Sequence, residues 1–529
     1  MALRRALRFD PGLLHLRATA VSMGTVLGTY GWALFVEHAA GLRVDSVVQA
    51  VVVASAFGRV QRAFDRTDRL LACAVLPCAA AGGTELSTLV QQHPNAGDAV
   101  FVLGVAGAIW IRRFGTRATR AGTLVVLPLI AVLVVPSGIA PTTGHERTAW
   151  AAVIALFAVV WGTALTWAAQ RTRFVPAPPA AWVVKATPPT RGGLPASTRM
   201  ALQMAAALTT AFVVGRGVWP DHWAWVVLTA YLVCSGARSR GDVLVKGAWR
   251  TAGAAAGTLV ASTVSGSFGP RSDTAVVVIF AVLAVATWLR ELSYAYWAAC
   301  VTAVLSLLYD WFGQSPGNLL DTRLAGIAVG AVIGLAASWL VLPIRTAAVA
   351  RARTAAALAA LGELLEADWH DVSAVRRARA RFGHRVDQLA LATAPLRVLA
   401  ALPAPRRPED DALRAMAALQ GCAGPLDELT GVLAAAPAEP ADDPAVTLRR
   451  AHVAAHALAV RRAIGRRPQP PKTPGRATAA GTPSAVPGAA AQAALDALAA
   501  LDSRLDTLTR LFAPPSTASA PDSTTAATR

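Results

Sequence analysis

Charge is scarce in this 529-residue chain: 15% of its residues are Asp, Glu, Lys or Arg, against about a quarter in soluble globular domains. With 54% hydrophobic residues, the composition argues against an ordinary soluble enzyme. Cysteine is scarce too. Cys73, Cys78, Cys234, Cys300 and Cys422 form no C-x-x-C pair, so neither a disulfide framework nor a metal site is indicated. Four of the five fall in apolar stretches, where a free thiol behaves as a small hydrophobe. No G-x-x-x-x-G-K-[ST] phosphate loop or H-E-x-x-H occurs, which excludes the ATPase and zincin signatures. The expectation is a protein that is no enzyme and uses no cofactor and no metal. The N-terminal MALRRALRFDPGLLHL has a basic end but no compact apolar core and no small-residue cleavage site, and reads as a cytoplasmic anchor.

What the chain has instead is apolar blocks, many of them long enough to cross a hydrocarbon core about 30 Å thick. They fall at 18–38, 45–58, 70–90, 98–111, 119–139 and 148–170, and again at 199–216, 222–236, 250–268, 273–289, 293–310 and 322–343. The net charge of +19 raises nucleic acid as a partner, but the placement of the arginines answers it. Arg59, Arg62, Arg66 and Arg69 lie on one side, with Arg112, Arg113, Arg117, Arg120, Arg238, Arg240, Lys246 and Arg250, then Arg345, Arg351 and Arg353. The opposite loops hold Arg43, Arg147, Arg216, Arg271 and Arg323 almost alone. Positive charge marks the cytoplasmic face, so the expected partner is the lipid bilayer rather than nucleic acid. The protein is read as multi-pass in the inner (plasma) membrane, with both termini cytoplasmic.

The expected fold is an all-α membrane protein of about twelve transmembrane helices arranged as two parallel six-helix repeats, followed by a cytoplasmic α-helical region. Residues 1–170 form the first repeat, 171–198 a Pro-rich cytoplasmic linker and 199–344 the second repeat. Residues 345–465 carry apolar positions at helical spacing. The stretch 466–490 is a low-complexity disordered linker, 491–513 a C-terminal helix and 514–529 a disordered tail. The repeat shows in aligned segments: Arg17 matches Arg199, Arg69 matches Arg250, Trp110 and Arg112 match Trp288 and Arg290, and Arg147 matches Arg323. An even number of helices per half returns the chain to its starting side, which makes the repeats parallel.

The sharpest pattern lies in the second half. HWAWVVLTAYLV is followed by a basic loop, then WRTAGAAAGTLVAS, and later RLAGIAVGAVIGLAASWLVLP. This resembles the fusaric-acid-resistance family of membrane transporters, which includes the aromatic carboxylic acid exporters. Trp225, Thr229, Arg250, Gly253 and Gly257, then Arg323, Gly326, Gly330 and Gly334, match its pattern. In the first half Arg69 and Arg147 survive while most of the glycines do not. The resemblance implies a secondary exporter of small organic acids, aromatic carboxylic acids foremost, driven by protons. An organic-anion channel of related fold and a non-transporting scaffold acting through its cytoplasmic helices stay open as alternatives, and so does a homo-oligomer.

A small organic anion as substrate calls for cations, and the planar guanidinium fork fits a carboxylate. The substrate-binding candidates are therefore Arg69, Arg250, Arg147 and Arg323, with Trp225 and Trp249 as stacking surfaces. Each arginine also reads as a snorkelling anchor and each tryptophan as an interfacial belt residue. Arg147 and Arg323 stand out because they begin helices on the side that charge placement leaves poor in arginine. Gly253 with Gly257, and Gly326 with Gly330 and Gly334, form small-xxx-small stripes for helix packing. Glu85, Asp221, Glu291, Asp310 and Asp321 are the acidic candidates for proton coupling, none of them placed at mid-membrane.

Overall fold

A computed structural model of the chain describes residues 10, 13–42, 44–134, 145–176, 194–264, 268–313, 319–400, 410–465 and 488–512. Among these residues all regular structure is helical, and the chain divides into two compact units, Met1–Ile344 and Arg345–Arg529. Most of the linker expected at 171–198 and of the low-complexity stretch at 466–490, and all of the tail at 514–529, lies outside the described residues.

Among the described residues the first unit holds twelve α-helices. They are α1 (Leu14–Ala40), α2 (Val44–Val60), α3 (Arg66–Gln92), α4 (Pro94–Trp110), α5 (Thr116–Val132) and α6 (His145–Arg171). Then follow α7 (Ala196–Val218), α8 (Trp223–Cys234), α9 (Arg240–Val264), α10 (Asp273–Leu289), α11 (Tyr294–Trp311) and α12 (Leu319–Leu340). Six are long and apolar enough to span a membrane by length and composition: α1, α3, α4 with the 3-10 turn that prolongs it, α6, α7 and α12. The protein is thus a multi-pass membrane protein. Helices α2, α8 and α10 are apolar but shorter.

Both sets of six share one order of lengths: long, short, long, short, short, long. Six packing pairs repeat as well, although α2 on α5, α3 on α4 and α8 on α9 pack without a comparable counterpart. In the first set α1 packs on α2 and α6, α2 on α6, α3 on α5 and α6, and α4 on α5. In the second, α7 packs on α8 and α12, α8 on α12, α9 on α11 and α12, and α10 on α11. Between the sets, the fourth helix of each touches the first helix of the other, α4 on α7 and α10 on α1. Reciprocal contacts of this kind are what a two-fold relation produces.

Local chemistry fixes several of these elements. Asp65 and Asp68 form a capping box at the start of α3, each carboxylate accepting the other's backbone N–H, at 2.8 and 3.0 Å. Arg120 of α5 pairs with Asp68, which ties α3 to α5. Arg216 of α7 grips Asp98 of α4 through two hydrogen bonds of 2.6 and 2.7 Å, a bidentate clamp across the two sets.

The second unit contains α13 (Thr346–Leu365), α14 (Val372–Ala400), α15 (Asp410–Gln420), α16 (Ala423–Ala435), α17 (Ala438–Asp442), α18 (Pro444–Ile464) and α19 (Ala489–Phe512). Its apolar residues point into one continuous core built on Trp369, Phe382 and leucines of α13, α16 and α19. Arg450 lies over the Trp369 ring at 4.5 Å and donates to the carbonyls of Leu365 and Ala367, which closes the turn after α13.

Candidate functional site

A cavity of about 580 Å³ lies within the first unit, walled by α1, α2 and α5 on one side and by α8, α10 and α11 on the other. That volume falls within the usual range of small-molecule sites. Its walls are mostly Val, Leu and Ile, because these helices turn apolar faces toward one another and no side chain is large enough to fill the gap.

Polar groups gather at its two ends. At one end stand Arg59, in the last turn of α2, and Arg290, just past α10, together with Tyr231 and Ser235 at the end of α8. The two guanidinium groups lie within electrostatic range of each other and of Glu291, and Arg59 also of Tyr231. Arg290 lies over the Trp297 ring at 5.0 Å, and Trp297 also lines the cavity. At the other end Glu37, near the end of α1, and Asp273, which opens α10, lie within electrostatic range of Tyr30. Tyr30 packs edge-on against Phe280 at 4.8 Å, and Trp311 lines the same end with its indole N–H buried and without a hydrogen-bond partner. Helix α10 runs from Asp273 to the turn before Arg290, so the charged ends stand about 25 Å apart at 1.5 Å per residue.

This arrangement polarises the chamber. An anion is drawn to the arginine end, where two guanidinium forks and two hydroxyls offer donors. An aromatic or aliphatic body fits the walls, and a proton is held most readily at the carboxylate end.

The residues singled out from sequence lie elsewhere. Arg250 is 2% exposed inside the second set of helices. Arg323 is equally buried; its Nη1 donates to Ser306 Oγ at 2.7 Å and its guanidinium lies over the Trp225 ring at 5.5 Å. Trp225 is itself buried and donates from Nε1 to the Tyr309 hydroxyl at 3.2 Å, so Arg323 and Trp225 are brought together in a cluster between α8, α11 and α12. Arg147 is buried near the start of α6, the place in the first set that Arg323 occupies in the second. Arg69 is half-buried in the first turn of α3, and Trp249 is 42% exposed. None of these six lines the 580 Å³ cavity.

The glycines act at helix crossings. A Cβ on Gly257 would fall on the Ala299 carbonyl, and one on Gly253 would lie 2.6 Å from the Ala295 carbonyl oxygen, so α9 meets α11 backbone to backbone. Gly330 does the same for α12 on α8, where a Cβ on it would lie 2.5 Å from the Val226 carbonyl oxygen; a Cβ on Gly334 would meet the Cys234 sulfur at 3.2 Å, and Gly326 has ordinary contact with Trp225.

Of the acidic candidates, Glu85 accepts from the Thr148 hydroxyl at 2.5 Å, Glu291 flanks Arg290, and Asp310 is in electrostatic range of Arg323. Sequence reasoning missed Glu37 and Asp273, and it treated Arg59 as a mark of topology alone. For Arg290 a signal existed, since it is the repeat partner of Arg112, which also lies within electrostatic range of Tyr231.

Residues 202–337, which run from α7 into α12, match the family described as fusaric acid resistance protein-like. Over these residues the second set of helices resembles a fusaric acid resistance protein-like module. No curated protein matches the chain. The module supplies Tyr231, Ser235, Asp273, Arg290, Trp297 and Trp311 to the cavity, while Tyr30, Glu37 and Arg59 come from the first set. Similarity to the fusaric acid resistance protein-like family over these residues points to membrane transport or efflux.

Proposed function

We propose that the protein is an inner-membrane secondary transporter that exports small aromatic carboxylic acids, driven by protons, through the cavity between two parallel six-helix repeats. The twelve helices each cross the membrane in this reading, with both termini and the arginine end of the cavity facing the cytoplasm. The observation that carries it is the presence of Arg59 and Arg290, one from each set, at one end of a 580 Å³ chamber with mostly apolar walls. A carboxylate entering from the cytoplasm exchanges its water for the two guanidinium forks, while its ring lies against Trp297 and the aliphatic walls. Protons from outside reach Glu37 and Asp273 first, and neutralising them removes the negative field that otherwise holds the anion back from that end. The alternation of a cytoplasm-facing and an outward-facing chamber then follows from rocking of one set on the other.

The test is benzoate efflux from proteoliposomes with an inward proton gradient. Arg59→Gln and Arg290→Gln are each expected to lower the initial rate about tenfold, the effect of losing one charge-assisted hydrogen-bonding group. Wild-type rates in both variants, after correction for inserted protein, would overturn this site. Flux that ignores the proton gradient and reverses with voltage would move the reading to an anion channel.

A further inference from the structure

Inside the second set of helices, apart from the cavity, two cationic side chains are buried close together. Arg250 and Arg323 are each 2% exposed, and their charges lie within range of one another. Arginine cannot shed its proton at any physiological pH, so burial here cannot be relieved by neutralisation. Arg323 has Ser306, the Trp225 and Tyr309 rings and the charge of Asp310 around it. Arg250 is less well supplied. Its Nε and Nη1 are buried without a hydrogen-bond partner, and no carboxylate pairs with it among the described residues.

A second buried donor lies in its electrostatic range. The Tyr294 hydroxyl is also buried and has no hydrogen-bond partner, and it lies within electrostatic range of both Arg250 and Arg290. The glycine stripe explains why the two meet. Gly253 is one turn beyond Arg250 on the same face of α9, and it lets that face press onto Ala295 and Ala298, so Arg250 comes to the first residue of α11. Two donors of one guanidinium and a hydroxyl thus lie in the protein interior, within electrostatic range of one another, with no acceptor among the described residues. An isolated buried charge costs several kcal/mol, and unpaired buried donors add to it.

We propose that Arg250 and Tyr294 form a binding site for one small monovalent anion, a halide or a carboxylate, inside the fusaric acid resistance protein-like module. The anion accepts from Arg250 Nε and Nη1 and from the Tyr294 hydroxyl, and it balances the charge that Arg323 and Arg250 place in the bundle. The site does not depend on the cavity reading, because neither Arg250 nor Tyr294 lines the cavity.

The experiment measures the melting temperature of the full-length protein in detergent, in a buffer whose only anions are bulky sulfonates. Chloride and acetate are titrated in separately. A saturable rise is expected with at least one of them. A rise with chloride alone identifies a structural halide, and a rise with acetate alone identifies a carboxylate site. Tyr294→Phe keeps the ring and its packing, and is expected to shift the midpoint about tenfold to higher anion concentration. Arg250→Gln is expected to abolish the saturable rise, while Arg59→Gln, at the cavity, leaves it in place. The absence of a saturable rise in the wild type overturns the proposal. So does a Tyr294→Phe midpoint equal to wild type, or loss of the rise in Arg59→Gln, which would put the anion in the cavity instead.

Discussion

At the scale of single residues, the surroundings of a side chain decide its chemistry more than its type does. Cys422 lies in the core of the second unit with no exposed surface, and burial pushes its thiol up to about 11. A thiol is nucleophilic only as thiolate, so Cys422 is expected to resist maleimide in the folded protein at pH 7.5 and to react fully once the unit is unfolded in guanidinium. Mass spectrometry of the labelled protein checks this, and rapid labelling in the native state would contradict the burial. The arginines show the same dependence on setting. Arg69, Arg147, Arg250 and Arg323 are legible in the sequence because they recur at matched helix starts. Arg59 sits where topology alone accounts for an arginine, and Arg290 shows only as the repeat partner of Arg112. What makes the latter pair a candidate site is that α2 and α10 face one chamber, and that is a tertiary fact which no spacing along the chain encodes. Trp225 was readable as special, but its work is to meet Arg323 and Tyr309 in a packed cluster.

At the scale of helices, the glycine stripes were readable and their partners were not. Small-xxx-small spacing announces a close crossing, whereas the pairings of α9 with α11 and α12 with α8 emerge only from the fold. The crossings differ in tightness. Gly257→Ala places a Cβ on the Ala299 carbonyl, while Gly334→Ala meets the Cys234 sulfur at 3.2 Å and otherwise ordinary contacts. Gly257→Ala is therefore expected to destabilise by about 1–3 kcal/mol, as overpacking does, and Gly334→Ala by less, both read as melting shifts in detergent. Equal shifts would show that the crossings are equally loose. Helix α14 supplies a pH dependence. Asp371 precedes it and accepts from the N–H groups of Ser373 and Ala374 at 2.9 and 3.1 Å. Hydrogen bonding from Ser373 first, then Ala374, and the nearby Arg377 hold this carboxyl below its ordinary 3.8. A lowered folded-state value means the contribution is complete above pH 3.8 and lost as pH falls through the folded value. Acid unfolding of the second unit is expected to be less steep in Asp371→Asn, which still accepts but does not titrate. An unchanged acid transition would remove Asp371 from the account.

At the scale of the whole molecule, the two sets of helices meet through two contacts, one of which adds an ion pair to its aromatic packing. Each contact carries a ring pair, Phe101–Phe212 on α4–α7 and Tyr30–Phe280 on α10–α1 beside the carboxylate end of the cavity, and α4–α7 carries the Arg216–Asp98 clamp as well. A rocking motion that alternately opens a central chamber must leave one contact fixed and let the other slide. A bidentate, partly buried ion pair resists sliding, because moving either partner strands a charge. Ring pairs slip between geometries at much lower cost. The α4–α7 contact is thus the hinge of the proposed cycle and α1–α10 the moving seam. Asp98→Asn keeps the size and one acceptor but removes the charge that locks Arg216. It is expected to lower the melting temperature by several degrees and to uncouple benzoate efflux from the proton gradient, raising the passive leak. Phe280→Leu, at the seam, is expected to change the rate of exchange while leaving stability near wild type. If Asp98→Asn melts like the wild type and stays tightly coupled, while Phe280→Leu is the variant that leaks, the assignment of hinge and seam is reversed.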